Sequence, residues 1–352
     1  MLFKRIPIIC PHCRGELEQP AENEILCRGC ARRFRVTLGI PDLRVGPDPY
    51  IGFEDEYAKV SKLVEAYPDL EFESFVDYYY VNTSVVPPQH AALYKRSLMA
   101  GVARARAWLG AWEEASSTDL AMQLEGNALV EIGCGTAPLL EAAEKYSPRA
   151  GVDIALRWLV VAKKRLQQAG LDLPLICACA EALPFPPNTF DCAVADSAVE
   201  HFTDQPKALD QILRVLKDNG RIFVATPNCF SLGPDPQTGI WAGSLLPESW
   251  TAALVRRQGG IPPKRRLLSA GELERRLTGA GFQEIHIYAP GIAGEQRAHF
   301  SWAMRAVIGL YDIARQLPGL RVLVRLVGPL LHAVARRRTP KPVISVDALK
   351  MK

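Results

Sequence analysis

The segment Ala128-Leu129-Val130-Glu131-Ile132-Gly133-Cys134-Gly135-Thr136-Ala137-Pro138 carries the strongest architectural signal in the chain. A short apolar run ends near an acid, and Gly133 and Gly135 then turn the backbone toward a helix that should begin near Pro138. Glycines at such a turn let the chain bend sharply and lie against a ligand. A dinucleotide site of the Gly-x-Gly-x-x-Gly kind would want a third glycine where Pro138 stands, which counts against NAD.

Further along, Arg149-Ala150-Gly151-Val152-Asp153-Ile154 reads as a second strand with an acid near its tip, where a carboxylate accepts ribose hydroxyls. A helix over Leu156–Gln168 follows, then a third strand over Leu175–Cys179 and a fourth over Phe190–Asp196. A helix over Pro206–Leu216 leads through Lys217-Asp218-Asn219-Gly220 to a fifth strand, Arg221–Ala225, and Phe282–Tyr288 reads as a sixth. Strands alternating with helices predict a doubly wound α/β fold: a mostly parallel sheet covered on both faces, with ligands at the strands' C-terminal ends.

Upstream, Cys10-Pro11-His12-Cys13 and Cys27-Arg28-Gly29-Cys30 form a Cys-x2-Cys-x13-Cys-x2-Cys pattern. Two such knuckles aim four thiolates at one point, the arrangement of a structural tetrahedral zinc site built from Cys10, Cys13, Cys27 and Cys30. His12 is expected to be exposed and not a ligand. A closed four-sulfur site leaves no open coordination position, so the metal is expected to be structural.

The chain's 352 residues predict about two domains, and 48% hydrophobic with 23% charged residues excludes a disordered chain. No run of eighteen uncharged apolar residues occurs, and the N-terminus lacks the apolar stretch of a secretory signal. With paired knuckle cysteines this predicts a cytoplasmic protein. The net charge of +4 is uneven: from Glu295 onward eleven basic residues face three acids, leaving the remainder mildly acidic. Such a tail implies an anionic partner, a membrane surface or a nucleic acid.

Residues 128–228 resemble the class I S-adenosylmethionine-dependent methyltransferases, in the branch with quinone-pathway and other small-molecule enzymes. The resemblance rests on Val130–Thr136, Gly151-Val152-Asp153, Ala180-Glu181-Ala182-Leu183-Pro184-Phe185, Phe190-Asp191, Glu200-His201 and Leu216-Lys217 through Thr226-Pro227-Asn228, in that order. It implies a Rossmann-like seven-stranded sheet that binds S-adenosylmethionine. It further implies that Glu131, Gly133 and Gly135 hold the methionine end, Asp153 the ribose, and Ala180 and Glu181 the adenine edge. Where the family usually has an Asp before Ala180, this chain has Cys179, so adenine is expected to rest on backbone groups and Ile154. Residues 1–46, with the Gly39-Ile40-Pro41 turn, resemble the zinc ribbons that accompany RNA and protein methyltransferases.

His201 is the candidate general base, its ordinary pKa being near working pH; the alternative is that it packs beside the cofactor. Asp196 either holds the cofactor or fixes a loop, and Glu200 reads as a solvated or capping carboxylate. Residues 47–125 are expected to form a helical linker and lid, with His90–Trp112 as one helix. The core is expected over 126–293 with a cap over 229–266. The implied antiparallel seventh strand falls on Pro342–Ala348, within 340–352, which leaves 294–339 as a basic helical insertion. That insertion suits peripheral membrane contact, packing on the core, or RNA.

The sequence thus predicts an S-adenosylmethionine-dependent methyltransferase acting on an O, N or C atom of a small or lipid-like acceptor. The alternatives are an RNA methyltransferase using the ribbon and basic tail, and a catalytically silent partner subunit. The ribbon reads as separable, so residues 50–352 are expected to bind the cofactor alone.

Overall fold

The computed structural model describes residues 1–82, 88–116, 127–233, 235, 238–292 and 302–338. Its centre is a seven-stranded sheet made of β1 (Leu129–Ile132), β2 (Arg149–Asp153), β3 (Leu175–Cys177), β4 (Phe190–Asp196), β5 (Leu216–Pro227), β6 (Phe282–Tyr288) and β7 (Leu330–Arg337). The spatial order is β6-β7-β5-β4-β1-β2-β3. Only β7 runs antiparallel, against β5 on one side and β6 on the other. Strands β1 to β5 are largely buried on both faces, which explains why they read as apolar runs without alternation, whereas the edge strand β6 keeps exposed polar residues.

Helices preceding and following β1 supply one face: α1 (Phe53–Ala66), α2 (Phe72–Asn82), α3 (Pro88–Met99), α4 (Gly101–Ser116), α5 (Pro138–Ala142) and α6 (Leu156–Gln168). Their apolar residues meet Leu129, Cys192, Val194, Phe223 and Ala225. The helix expected over His90–Trp112 is broken between Met99 and Gly101 into α3 and α4.

The opposite face takes Val130, Ala193, Ala195, Ile222 and Val224, the alternate residues of the same strands. It is covered by α7 (Gln205–Val215) and α9 (Ala270–Ala280), with α8 (Glu248–Arg257) in the cap between them along the chain. The start of α9 is fixed by a capping box: Ser269 Oγ accepts from Glu272 N at 3.2 Å and Glu272 Oε2 from Ser269 N at 3.0 Å.

Between β3 and β4 the chain has only a three-residue 3-10 turn, Ala180–Ala182, where a longer helix would cover this face. The ribbon fills the gap. Ile6, Ile8, Leu17, Ile25, Phe34 and Leu43 join the same apolar cluster as the sheet, and Ile9 N donates to Pro184 O at 2.9 Å. Asp42 also bridges Cys177 in parallel, with Leu43 N donating to Cys177 O at 2.7 Å, so the ribbon's exit extends the sheet beyond β3. The ribbon therefore shares the sheet's apolar core, a contact its sequence does not announce.

The seventh strand is a further correction. It lies at Leu330–Arg337, inside the stretch expected to be wholly helical, while Pro342–Ala348 falls outside the described residues. Its Ala-rich, Arg-ended sequence carries no alternation because it is the interior strand between β5 and β6. His332 is fully buried there, edge-on to Trp108, Phe223 and Tyr288, and burial drops its pKa to about 3. Before β7 stand two helices, α10 (Trp302–Gln316) and α11 (Pro318–Val327). Among the described residues no helix is long and apolar enough to cross a membrane.

Candidate functional site

The loop after β1 is bent by left-handed backbone at Gly133 (φ 78°) and Gly135 (φ 50°). A Cβ on Gly133 would stand 2.5 Å from that of Ala198, so the turn and the close approach both require glycine. Asp153, at the tip of β2, ties the loop down: Oδ2 accepts from Gly135 N and Oδ1 from Ala155 N, each at 2.8 Å. Burial pushes this carboxyl above its usual range, and the two N–H donors oppose that shift.

Beside these tips lies a cleft of about 240 Å³. Of the residues singled out from sequence, Gly133, Asp153, Ile154, Ala180, Glu181 and His201 form its wall. Glu131, Gly135 and Asp196 are not on the wall. Cys179 turns its sulfur toward Gly46 O at 3.7 Å, so it faces the ribbon's exit.

The sequence reading missed the other wall. Asp48, Pro49 and Tyr50, from the stretch after the ribbon, line the cleft with Arg157 and Trp158 of α6. Arg157 holds this arrangement together, donating to Asp48 Oδ2 at 2.9 Å and to the buried Glu56 Oε2 at 2.5 Å. Tyr50 Oη accepts from Lys264 N at 2.7 Å and donates to Lys264 O at 3.1 Å, clamping the linker to the cap. The clearest sequence signal was Asp48-Pro49-Tyr50 itself, a turn with a carboxylate and an aromatic in a segment otherwise read as linker. Tyr79 and Tyr80 are buried, and the Tyr79 ring lies 4.3 Å from that of Trp158.

His201 ends a 3-10 turn, Val199–His201, with Nδ1 3.4 Å from Lys264 O. Burial lowers its pKa below 6.5, so it is neutral at pH 7. Glu200 is neither solvated nor a cap; it is 1% exposed and accepts from the Thr226 hydroxyl at 2.9 Å. Burial pushes Glu200 up to about 7 and Asp196 up to about 6, the Asp196 charge adding to the shift at Glu200. Glu131 is raised well above its ordinary value by burial and then by the charges of Asp196 and Asp153. Oε2 of Glu131 and Oε1 of Glu200 have no hydrogen-bond partner among the described residues. Asp196 thus raises both Glu131 and Glu200, while Arg104 draws Asp196 down and Arg265 draws Glu200 down.

In the ribbon the sulfurs of Cys10, Cys13, Cys27 and Cys30 all lie within 4.8 Å of one another. The Cys10–Cys30 and Cys13–Cys27 separations are 3.8 and 3.4 Å, against about 3.8 Å between sulfurs on a tetrahedral zinc. The knuckles are built alike. Four residues after the first cysteine of each pair, Arg14 and Ala31 take left-handed backbone and return their N–H to the carbonyls of Cys10 and Cys27. His12 is exposed and stacks near Phe34, apart from the four sulfurs.

A family model described as a methyltransferase domain matches residues 130–224. The ubiquinone/menaquinone biosynthesis C-methyltransferase UbiE of Pasteurella multocida is 33% identical over 187 residues, covering 50% of this chain and 70% of that protein. The demethylmenaquinone methyltransferase of Thermus thermophilus is 32% identical over 111 residues, and the match spans 31% of this chain and half the length of that relative. A solved structure from Thermotoga maritima, described as an S-adenosylmethionine-dependent methyltransferase and possible histamine N-methyltransferase, is 15% identical with a TM-score of 0.43, over 76% of this chain and 98% of that one. With the glycine turn, the acid at the tip of β2 and a seven-stranded sheet whose sole reversed strand is β7, the family model and the Pasteurella multocida relative identify the chain as a member of the class I S-adenosylmethionine-dependent methyltransferases.

Proposed function

We propose that this chain methylates a small or lipophilic acceptor, using S-adenosylmethionine in the cleft beside β1, β2 and β4 and a structural zinc in the ribbon. The observation that carries the reading is the set of buried acids behind that cleft, Glu131, Asp196 and Glu200, of which Glu131 and Glu200 are raised by Asp196 and each keep one oxygen without a partner among the described residues. Bound there, the cofactor would supply an electrophilic methyl on a sulfonium, together with an ammonium group. Asp153 would accept from the ribose hydroxyls, and Ile154, Ala180 and Glu181 would bound the adenine. Glu131 and Asp196 would answer the positive end through the cleft floor.

On the acceptor side, the protein's task is to hold a nucleophile in line and remove its proton where one must leave. His201 takes that proton: it stands on the cleft wall, is neutral at pH 7, and a hydrogen on Nδ1 directed at Lys264 O makes Nε2 the basic atom. The expected result for His201→Ala is a turnover rate lower by about 100-fold at saturating cofactor. Incubation with methyl-labelled cofactor and extract divided into lipid, small-molecule and RNA fractions should label one of the first two. Label in RNA alone, or in no fraction, overturns the reading.

The acids also set a pH dependence. Their folded pKa values are raised, so the unliganded fold carries no penalty below the ordinary carboxylate range. It loses stability as pH rises through about 6 and 7. A bound cation favours the charged forms, so binding releases protons and affinity grows with pH. Cofactor-induced rise in Tm should therefore increase between about pH 5.5 and 7.5; a rise that is flat across that window would remove the acids from the cofactor's surroundings.

A further inference from the structure

Helices α10 and α11 turn an apolar surface outward. On α10 the buried residues among the described side chains are Ile308 and Asp312, while Trp302, Ala306, Leu310 and Ile313 follow the three-and-four spacing of a second, exposed stripe. Trp302 is 83% exposed and Leu310 68%. On α11 only Val324 is buried, and Val322, Leu323 and Leu326 are each about half exposed. Arg321 and Arg325, four residues apart, share the side of α11 away from those three, and neither pairs with an acid among the described residues. The sole acid of the two helices, Asp312, pairs with Arg315 at 2.9 Å.

The surface continues into the cap. Asn228 Nδ2 donates to Leu326 O at 2.8 Å and Gly328 O at 3.0 Å, and Leu232 N donates to Val327 O at 3.2 Å. Ala242 N in turn donates to Gly233 O at 3.2 Å. These bonds bring the half-exposed Phe230, Leu232 and Trp241 alongside α11. Contiguous outward apolar area of this kind marks an interaction site.

From this surface we infer that α10, α11 and the adjoining cap edge form a docking face for a bilayer containing anionic phospholipid. Apolar side chains enter the headgroup boundary, while arginines at their flank reach lipid phosphates on flexible stems. Charge selects this occupant over a second copy of the chain, because a two-fold contact on this face would set Arg321 and Arg325 against their own counterparts. A nucleic acid would use the arginines and leave the leucine and tryptophan stripe wet. The inference goes beyond the assignment of an acceptor, and its test reads no turnover.

Full-length protein is sedimented with phosphatidylcholine vesicles and with vesicles that also contain phosphatidylglycerol. The wild type should partition onto the anionic vesicles and weakly onto the neutral ones. The double substitution Arg321→Gln and Arg325→Gln should lower anionic partition by about 30-fold, and Leu323→Ser with Leu326→Ser should lower partition on both. Thermal melts confirm folding of each variant. Independently of any variant, about 0.5 M salt should reduce wild-type binding to the neutral-vesicle value. Wild type left in solution with both vesicles, binding indifferent to salt and to the arginines, or a soluble dimer dissociated by the leucine substitutions without vesicle binding, would each overturn the inference.

Discussion

Substituting Cys27 by serine should strip the metal from the ribbon and lower Tm by about 10 °C or more, while cofactor binding weakens in parallel. Metal coordination in a four-thiolate site contributes on the order of 10 kcal/mol to the folding of its module, and one lost thiolate forfeits much of it. Damage should not stop at the ribbon. Ile6, Ile8, Leu17, Ile25, Phe34 and Leu43 are buried in the same cluster as Val130, Ile176 and Ala195 of the sheet. At about 1.5–3 kcal/mol for each buried side chain, that contact is on the order of the whole stability of a domain. The chain leaving the ribbon also delivers Asp48, Pro49 and Tyr50 to the cleft. Metal analysis, a melting curve and cofactor titration test this together; a variant that keeps one equivalent of zinc, or melts unchanged, contradicts the assignment. A truncation to residues 50–352 should fail in the same way, because it uncovers the sheet face.

The second large effect is expected at Asp153. Its alanine variant should lose cofactor affinity by about 1,000-fold, since two charge-assisted hydrogen bonds to ribose contribute about 1.5–3 kcal/mol each. The same carboxylate fixes Gly135 N and Ala155 N, so the glycine turn should loosen as well. Calorimetry provides the check: unchanged affinity with a folded variant would remove Asp153 from the ribose and, with it, the orientation of the cofactor in the cleft.

Five of the seven sheet strands were legible because parallel, doubly buried strands must be written as apolar runs punctuated by Gly, Asn and Asp, and the half-exposed edge strand β6 by its β-branched and aromatic residues. β4 and β6 fall on the expected residues, and α6 matches at both ends. β7 was hidden for the converse reason. Its Ala333 and Ala335 are buried between β5 and β6, so small residues stand where large apolar ones would have marked a strand. The knuckle cysteines were equally plain, since ligand spacing is a local property. What no local pattern revealed was the fusion of ribbon and sheet. That depends on a helix missing between β3 and β4, and on the Asp48–Arg157–Glu56 ion pairs, whose members are separated by about a hundred residues. Glu200 was misread because a Glu beside a His in a short turn gives no hint of burial until Thr226 is brought beneath it.

The pairing of Asp42 and Leu43 with Cys177 has an outcome for the protein in bulk. An outermost strand stripped of its neighbour offers a bare rim of amides and carbonyls onto which other molecules zip. Metal starvation would then be felt as precipitation as well as weakened cofactor binding.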